Sequence, residues 1–178
     1  MTKARLTIAL AAALVLTVAG ARAQAPPTPV PDMKPDLSSM AFLMGTWSCH
    51  STVRGSARPD TTTYTMDYDG RWIKAHDTAP AFDRFRTRSI VSDTWMTYNR
   101  DMHQWVQTAV DNFGGYGVST SPGWNGNQMT WTAALTQDGS TGSDTVTKVS
   151  DRETRDVSTG KDKNGKPFPT TTTVCMKR

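Results

Sequence analysis

The 178-residue sequence has little of what most metal centres and helical domains require. It contains three histidines and two cysteines, and neither an H-x-H nor an H-E-x-x-H spacing occurs, so a zinc site is not expected. Glu153 is the only glutamate, and no apolar pattern at helical spacing lasts ten residues after position 46. A G-x-S-x-G elbow and a phosphate-binding loop are also missing. The sequence therefore predicts neither a cofactor nor a helical fold.

Long hydrophobic runs are missing as well, apart from one near the start. Lys3 and Arg5 precede an apolar stretch over residues 6–19, and residues 21–23 match a small-x-small cleavage pattern. That stretch is about 14 residues long, short of the roughly 20 that cross a membrane. Residues 1–23 are therefore predicted to be a cleaved signal peptide, which places the mature chain in the periplasm or outside the cell with no integral membrane segment.

The basic balance of the whole sequence comes from that leader. Residues 1–23 hold three basic residues and no acidic one, so 17 basic side chains face 16 acidic ones in the mature chain. No basic run is interleaved with aromatic residues, as nucleic-acid-binding surfaces require. A nucleic-acid partner is not expected.

The mature chain is predicted to hold one domain after a short leader. Residues 24–35 are rich in proline and indicate a flexible leader, and residues 36–178 are predicted to form a single all-β domain. One short helix is predicted over Pro35–Met44. Turn residues such as Asp69-Gly70 and Asp138-Gly139 separate segments rich in Thr, Val, Tyr and Trp. These strands are predicted at 46–54, 61–68, 71–78, 84–98, 103–112, 115–120, 127–137, 143–151, 153–158 and 167–176.

Eight to ten short antiparallel strands with tight turns favour an up-and-down barrel, because closure removes exposed edge strands. Pairing the first strand with the last would bring Cys49 beside Cys175, and two thiols in an oxidising compartment usually form a disulfide. A reactive or metal-binding thiol pair is the alternative.

Strand alternation supplies the candidate site. One tryptophan on each of several strands suggests an aromatic inner surface, with Trp72, Trp95, Trp105 and Trp131 as the predicted ligand-binding wall. His76 shares a strand face with Trp72, and Asp111 shares one with Trp105, so both are predicted to orient the ligand. Trp124 is placed in a turn. The alternative is that the tryptophans simply fill the core of a structural envelope protein.

Two further functions use the same cavity. An enzyme acting on a small hydrophobic substrate would use Asp111 or His76 as its acid–base group. A haem barrel would need His76 or His50 as its axial ligand. Arg84, Arg86 and Arg88 alternate along one strand face, which is typical of an exposed face.

Two motifs carry a family resemblance. Phe42-Leu43-x-Gly45-x-Trp47 resembles the entry motif of lipocalin-like barrels of the calycin type. Ser119-x-Ser121-Pro122-Gly123-Trp124-x-Gly126-Asn127-x-Met129-x-Trp131 resembles a signature of small exported bacterial proteins in a domain family of unknown function. The resemblance implies an up-and-down barrel with a small hydrophobic ligand, and gives Gly45 and Trp47 a structural role in closing the barrel base. The related nitrobindin-like haem barrels continue with a glycine-rich run that 49–55 lacks here, so no haem ligand is carried over.

Overall fold

Eleven antiparallel strands and two short 3-10 segments make up the computed structural model, which describes residues 33–53, 56–81 and 87–178. The 3-10 segments span Ser38–Leu43 and Tyr68–Gly70. The strands are β1 Gly45–Val53, β2 Ser56–Asp67, β3 Trp72–Ala79, β4 Ile90–Asn99, β5 Gln104–Asp111, β6 Tyr116–Ser121, β7 Trp124–Asn125, β8 Gln128–Thr136, β9 Thr141–Ser150, β10 Glu153–Lys161 and β11 Thr171–Lys177. The predicted signal peptide and the predicted arginines Arg84 and Arg86 lie outside the described residues.

Ten of the strands close into a ring. Each strand from β1 to β6 pairs with the next, β6 pairs with β8, and β8 to β11 continue in order. The two-residue strand β7 forms a small hairpin with β8. Strand β11 pairs with β1, which closes the ring. The prediction of an antiparallel barrel whose first and last strands meet is confirmed.

The predicted disulfide is also confirmed. Cys49 lies directly opposite Cys175 in the β1–β11 register, and their Cα atoms are 4.0 Å apart. Cys49 is buried, and Cys175 contributes to the wall of the barrel interior. A covalent bond therefore joins the two strands where the ring closes.

The predicted N-terminal helix is a 3-10 segment instead of an α-helix. Only six residues, Ser38–Leu43, are helical, too few to stabilise an α-helix by its own hydrogen bonds. Packing holds the segment, because Leu37, Met40 and Leu43 are buried against the barrel. Gly45 then has a φ of +107°, a conformation that favours glycine, and it starts β1.

The inner face of the barrel carries the hydrophobic core. The best-buried large side chains are Trp47, Ile73 and Met129, each at most 1% exposed. Among the described residues, no helix is long and apolar enough to cross a membrane.

Candidate functional site

The barrel interior is incompletely filled and holds a cavity of about 290 Å³. Its wall combines the 3-10 segment Ser38–Leu43 with inward-facing side chains of most strands. Inward residues on a strand alternate with outward ones, so the cavity-lining residues of one strand, such as Ala75 and Asp77 on β3, lie two apart along the chain.

The cavity wall changes from apolar to acidic along the strands. On β3 the inward residues run from Ile73 through Ala75 to Asp77, and on β9 they run from Val146 to Asp144. We call the two parts the apolar end and the acidic end. The apolar end is lined by Met40, Phe42, Leu43, Met96, Met129 and Val146, and the acidic end by Asp77, Asp144 and Asp156.

Hydroxyl groups accompany the carboxylates of the acidic end. Thr62 Oγ1 donates a hydrogen bond to Asp77 Oδ1 at 2.9 Å, and Ser158 Oγ donates to Asp156 Oδ1 at 3.4 Å. The carboxylate of Asp144 accepts no hydrogen bond from any residue that the structure describes. The carboxylate oxygens of the acidic end therefore have only some of the hydrogen-bond donors that they could accept from.

Asp144 and Asp156 form a close pair of like charges. Asp156 pairs with Val146 and Ser158 pairs with Asp144 in the β9–β10 register, so the two carboxylates are diagonal neighbours on the inner face. Diagonal neighbours across a sheet lie within roughly 7–8 Å of each other. The pKa of Asp156 is raised to about 7, mainly by burial and secondly by the charge of Asp144.

A second pair of carboxylates lies on β2 and β3. Asp77 is opposite Thr62, which makes it a diagonal neighbour of Asp60. Burial raises the pKa of both carboxyls, and the charge of Asp77 raises that of Asp60 further, while Arg58 opposes both shifts. Ser51 Oγ also donates to Asp60 Oδ2 at 3.3 Å.

Tyr64 lies within electrostatic reach of both pairs. Burial raises the pKa of its hydroxyl, and the charges of Asp77, Asp156 and Asp60 raise it further. The phenol therefore stays protonated and presents a neutral hydroxyl to the cavity.

Two tryptophans line the cavity. Trp131 is 4% exposed and lies directly opposite Asp144 in the β8–β9 register. Trp124 packs edge-on against Phe42, with ring centroids 5.8 Å apart. Its Nε1 atom is buried and has no hydrogen-bond partner. The predicted wall residue Trp131 is thus joined by Trp124, which the sequence placed in a turn.

Trp72, Trp95 and His76 lie on the outer face, contrary to the prediction. Ile73 and Ala75 on the opposite side of β3 are buried, whereas Trp72 is only half-buried. The inner face of β3 is therefore the face that carries Ile73 and Ala75. Trp95 Nε1 donates to Asp67 Oδ2 at 2.9 Å. His76 is exposed, and its Nδ1 lies 2.7 Å from Asp93 Oδ1. These side chains do not reach the cavity because the strand faces are reversed relative to the prediction.

The other predicted site residues have structural surroundings. Asp111 Oδ1 accepts hydrogen bonds from the backbone N–H groups of Phe113 and Gly115, at 2.8 and 2.9 Å, so it organises a turn instead of facing the cavity. Trp105 is 4% exposed, packs edge-on against Tyr98 and belongs to the core beside the cavity.

No histidine in the described part of the chain lines the cavity. His50 is exposed on the outer face of β1, and His103 has a left-handed backbone in an exposed turn. The candidate haem ligands and the acid–base groups His76 and Asp111 are therefore not brought into the cavity. The polar groups that line the cavity are instead the carboxylates of Asp77, Asp144 and Asp156.

Asp156 makes the stability of the barrel depend on pH. Its pKa is about 7 in the folded state and near 3.9 in the unfolded state. Between these two pH values the folded state holds a proton that the unfolded state has released. The resulting stabilisation is present at low pH and is lost as pH rises through about 7. We expect the free energy of unfolding at pH 8 to be about 2 kcal/mol lower than at pH 5 through this group, measured by urea denaturation.

Asp156→Asn should remove most of that difference, and the exposed Asp101→Asn should leave it intact. Asp144, whose charge raises the pKa of Asp156, and Tyr64, whose pKa the charge of Asp156 raises, remain in both variants. An unchanged difference in Asp156→Asn would show that another group causes the pH dependence.

Comparisons with known proteins leave the family open. No family model matches the chain, and no curated protein matches it. Among solved structures, the chain is similar to a protein of unknown function from the DUF3598 family of Nostoc punctiforme, with 7% sequence identity and a TM-score of 0.27. That match covers 82% of this chain and 100% of the other. A TM-score this low assigns neither a family nor a ligand.

Proposed function

We propose that the protein is exported and binds a small, partly apolar molecule inside a lipocalin-like barrel. The observation that carries the proposal is the cavity of about 290 Å³, which the surrounding side chains leave unfilled. At about 30 Å³ for each water-sized group, it has room for about ten non-hydrogen atoms. A barrel whose only role was structural would gain from filling that space, because side chains around a void lose packing contacts.

The composition of the wall supports a ligand with two different ends. Methionine, leucine and phenylalanine side chains at the apolar end favour an aromatic or aliphatic group. The carboxylates and hydroxyls at the acidic end favour a polar group. Both parts belong to one cavity, so a single small molecule can contact both.

The disulfide supports export. A bond between Cys49 and Cys175 persists in the periplasm or outside the cell and is rare in a reducing cytosol. The sequence pattern of residues 1–23 agrees with that location.

The proposal is tested by native mass spectrometry of protein purified from an exporting host, together with calorimetric titration of small probes. A suitable panel is 3-phenylpropan-1-ol, 3-phenylpropylamine and 3-phenylpropanoate, which share one apolar body of the expected size. Stoichiometric binding of at least one probe, or a retained molecule, is expected. A ligand-free mass together with no binding by any probe would refute the proposal.

Ala75→Leu should block the cavity. Ala75 is 8% exposed and lines the cavity from β3, so three added carbon atoms occupy space that a ligand would need. We expect the affinity for the best probe to fall at least about tenfold, which corresponds to about 1.4 kcal/mol. Ala134→Leu, at an exposed position on β8, makes the same chemical change outside the cavity and should leave the affinity unchanged. Equal effects of the two variants would place the bound probe elsewhere.

A further inference from the structure

The acidic end of the cavity has an excess of negative charge. Asp77, Asp144 and Asp156 line it, and no lysine, arginine or histidine is among the described lining residues. Arg58 acts on Asp60 and Asp77, but the influences on Asp156 include no cation. Carboxylates removed from water are costly unless a positive group or a set of hydrogen bonds compensates them. The pair Asp144 and Asp156 has a single hydroxyl donor, Ser158.

The aromatic wall beside that pair suits a cation. Trp131 is the cross-strand neighbour of Asp144, so an indole ring and a carboxylate line the same part of the cavity. An organic cation gains from both, through the electrostatic attraction of the carboxylate and through the negative face of the ring.

An independent observation indicates that the cavity takes a polar organic molecule. Trp124 Nε1 is buried without a hydrogen-bond acceptor and its side chain lines the cavity. A buried indole N–H usually has a partner. An acceptor atom on a ligand beside Trp124 would supply that partner.

A metal ion does not account for this arrangement. Within the described ranges, no three side chains of histidine, cysteine, aspartate or glutamate come together as metal ligands. A bare ion would also leave the apolar end, with Met40, Phe42 and Met129, without contacts. An anion would be repelled by the carboxylates.

We propose that the ligand is a small organic amine, whose ammonium group lies between Asp144, Asp156 and Trp131 and whose apolar body packs toward Met129 and Trp124. This inference rests on the proposed function, since it names the class of molecule that the cavity binds. The amine binds as a monocation with no covalent step.

The site is also expected to respond to pH. Asp156 loses its proton near pH 7. The titratable groups that interact with it electrostatically are Asp144 from β9 and Tyr64 from β2, and Asp77 from β3 lines the same cavity. Amine affinity should therefore rise about tenfold from pH 5.5 to pH 8, whereas the affinity for a neutral analogue should not change.

The experiment compares 3-phenylpropylamine with 3-phenylpropan-1-ol by calorimetric titration into the full oxidised protein at pH 8. The two probes differ in their polar group alone. We expect the amine to bind at least about tenfold more tightly than the alcohol, and 3-phenylpropanoate to bind most weakly. This ranking needs no variant, so it tests the inference even if a substitution impairs folding.

Variants then locate the ammonium group. Asp144→Asn and Asp156→Asn should each lower the amine affinity about tenfold and leave the alcohol unchanged. Asp93→Asn, which removes a carboxylate on the outer face beside Lys74 and His76, should change neither. Far-UV circular dichroism and thermal melts establish that each variant keeps the barrel.

The outcomes separate the two proposals. An alcohol that binds as tightly as the amine, or amine binding that neither cavity variant weakens, would overturn the inference and leave the proposed function standing. A ligand-free mass together with no binding by any of the three probes would overturn both.

Discussion

Replacing both cysteines with alanine is expected to lower the free energy of unfolding by about 2–5 kcal/mol. Cys49 and Cys175 are 126 residues apart in sequence, and the chain-entropy model gives about 5 kcal/mol for so long a loop. The pairing of β1 with β11 joins the two ends of the strand order and closes the ring. Without the covalent bond, hydrogen bonds and packing alone must offset the loss of chain entropy on bringing the two strands together.

Urea denaturation with and without a reducing agent measures this effect. The native protein should lose stability when reduced, and the double variant Cys49→Ala/Cys175→Ala should be insensitive to the reductant. A native protein whose denaturation midpoint is the same under both conditions would show that the bond adds nothing to stability. Since Cys175 also lines the cavity, we expect reduction to weaken probe binding as well.

Trp47→Ala is expected to destabilise the barrel by about 3–5 kcal/mol. Trp47 is 1% exposed, and its Nε1 donates a 2.6 Å hydrogen bond to the carbonyl oxygen of Leu43. Its ring packs edge-on against Phe42 at 6.5 Å, and Lys177 Nζ donates to the carbonyl oxygen of Phe42 at 2.9 Å. The side chain therefore fastens the 3-10 segment Ser38–Leu43 to the barrel.

Trp47→Phe and Trp72→Ala are the matched comparisons, measured by the same urea denaturation. Trp47→Phe keeps most of the buried ring and leaves the Leu43 carbonyl without its donor, so about 1–2 kcal/mol should be lost. Trp72→Ala removes a half-buried tryptophan from the outer face of β3 and should cost far less than Trp47→Ala. Similar losses for Trp47→Ala and Trp72→Ala would contradict the inward placement of Trp47.

The fold was predictable because its signals are local. Turn residues such as Asp69-Gly70 and Asp138-Gly139 separate the strands where the structure has its turns, and seven described glycines have a positive φ. Two cysteines at the two ends of the domain favour a fold in which the first and last strands are neighbours, and this pairing closes the ring. The sequence predicts a longer helix over Pro35–Met44, whereas the structure has a six-residue 3-10 segment. Burial against the barrel, and not a series of helical hydrogen bonds, stabilises this segment.

The cavity was less predictable, since alternation shows which residues share a face but not which face is inside. On β3, Trp72 and His76 were assigned inward, whereas the small residue Ala75 and the carboxylate of Asp77 occupy the interior. The observed grouping of Ile73, Ala75 and Asp77 was available from the sequence. The recurrence of one tryptophan on each of several strands favours the opposite face, which carries Trp72.

Trp124 and the pair Asp144 and Asp156 had no sequence signal of comparable strength. Pro122-Gly123 and Asn125-Gly126 flank Trp124 and predict turns. The structure has a turn at Gly126-Asn127, after the two-residue strand β7, and Gly123 before it has a positive φ. Asp144 and Asp156 lie on different strands, and their proximity depends on the β9–β10 register. A shift of one residue would have turned one of them outward.

The disulfide between β1 and β11 also determines how the protein behaves after limited proteolysis. A protease that cuts one exposed turn, such as the one at Asp138-Gly139, divides the chain between Cys49 and Cys175. The two fragments then remain bonded to each other, and each keeps its own antiparallel strands. The nicked protein should migrate as one species on a non-reducing gel and as two on a reducing gel, and its fragments cannot diffuse apart before they re-form the ring.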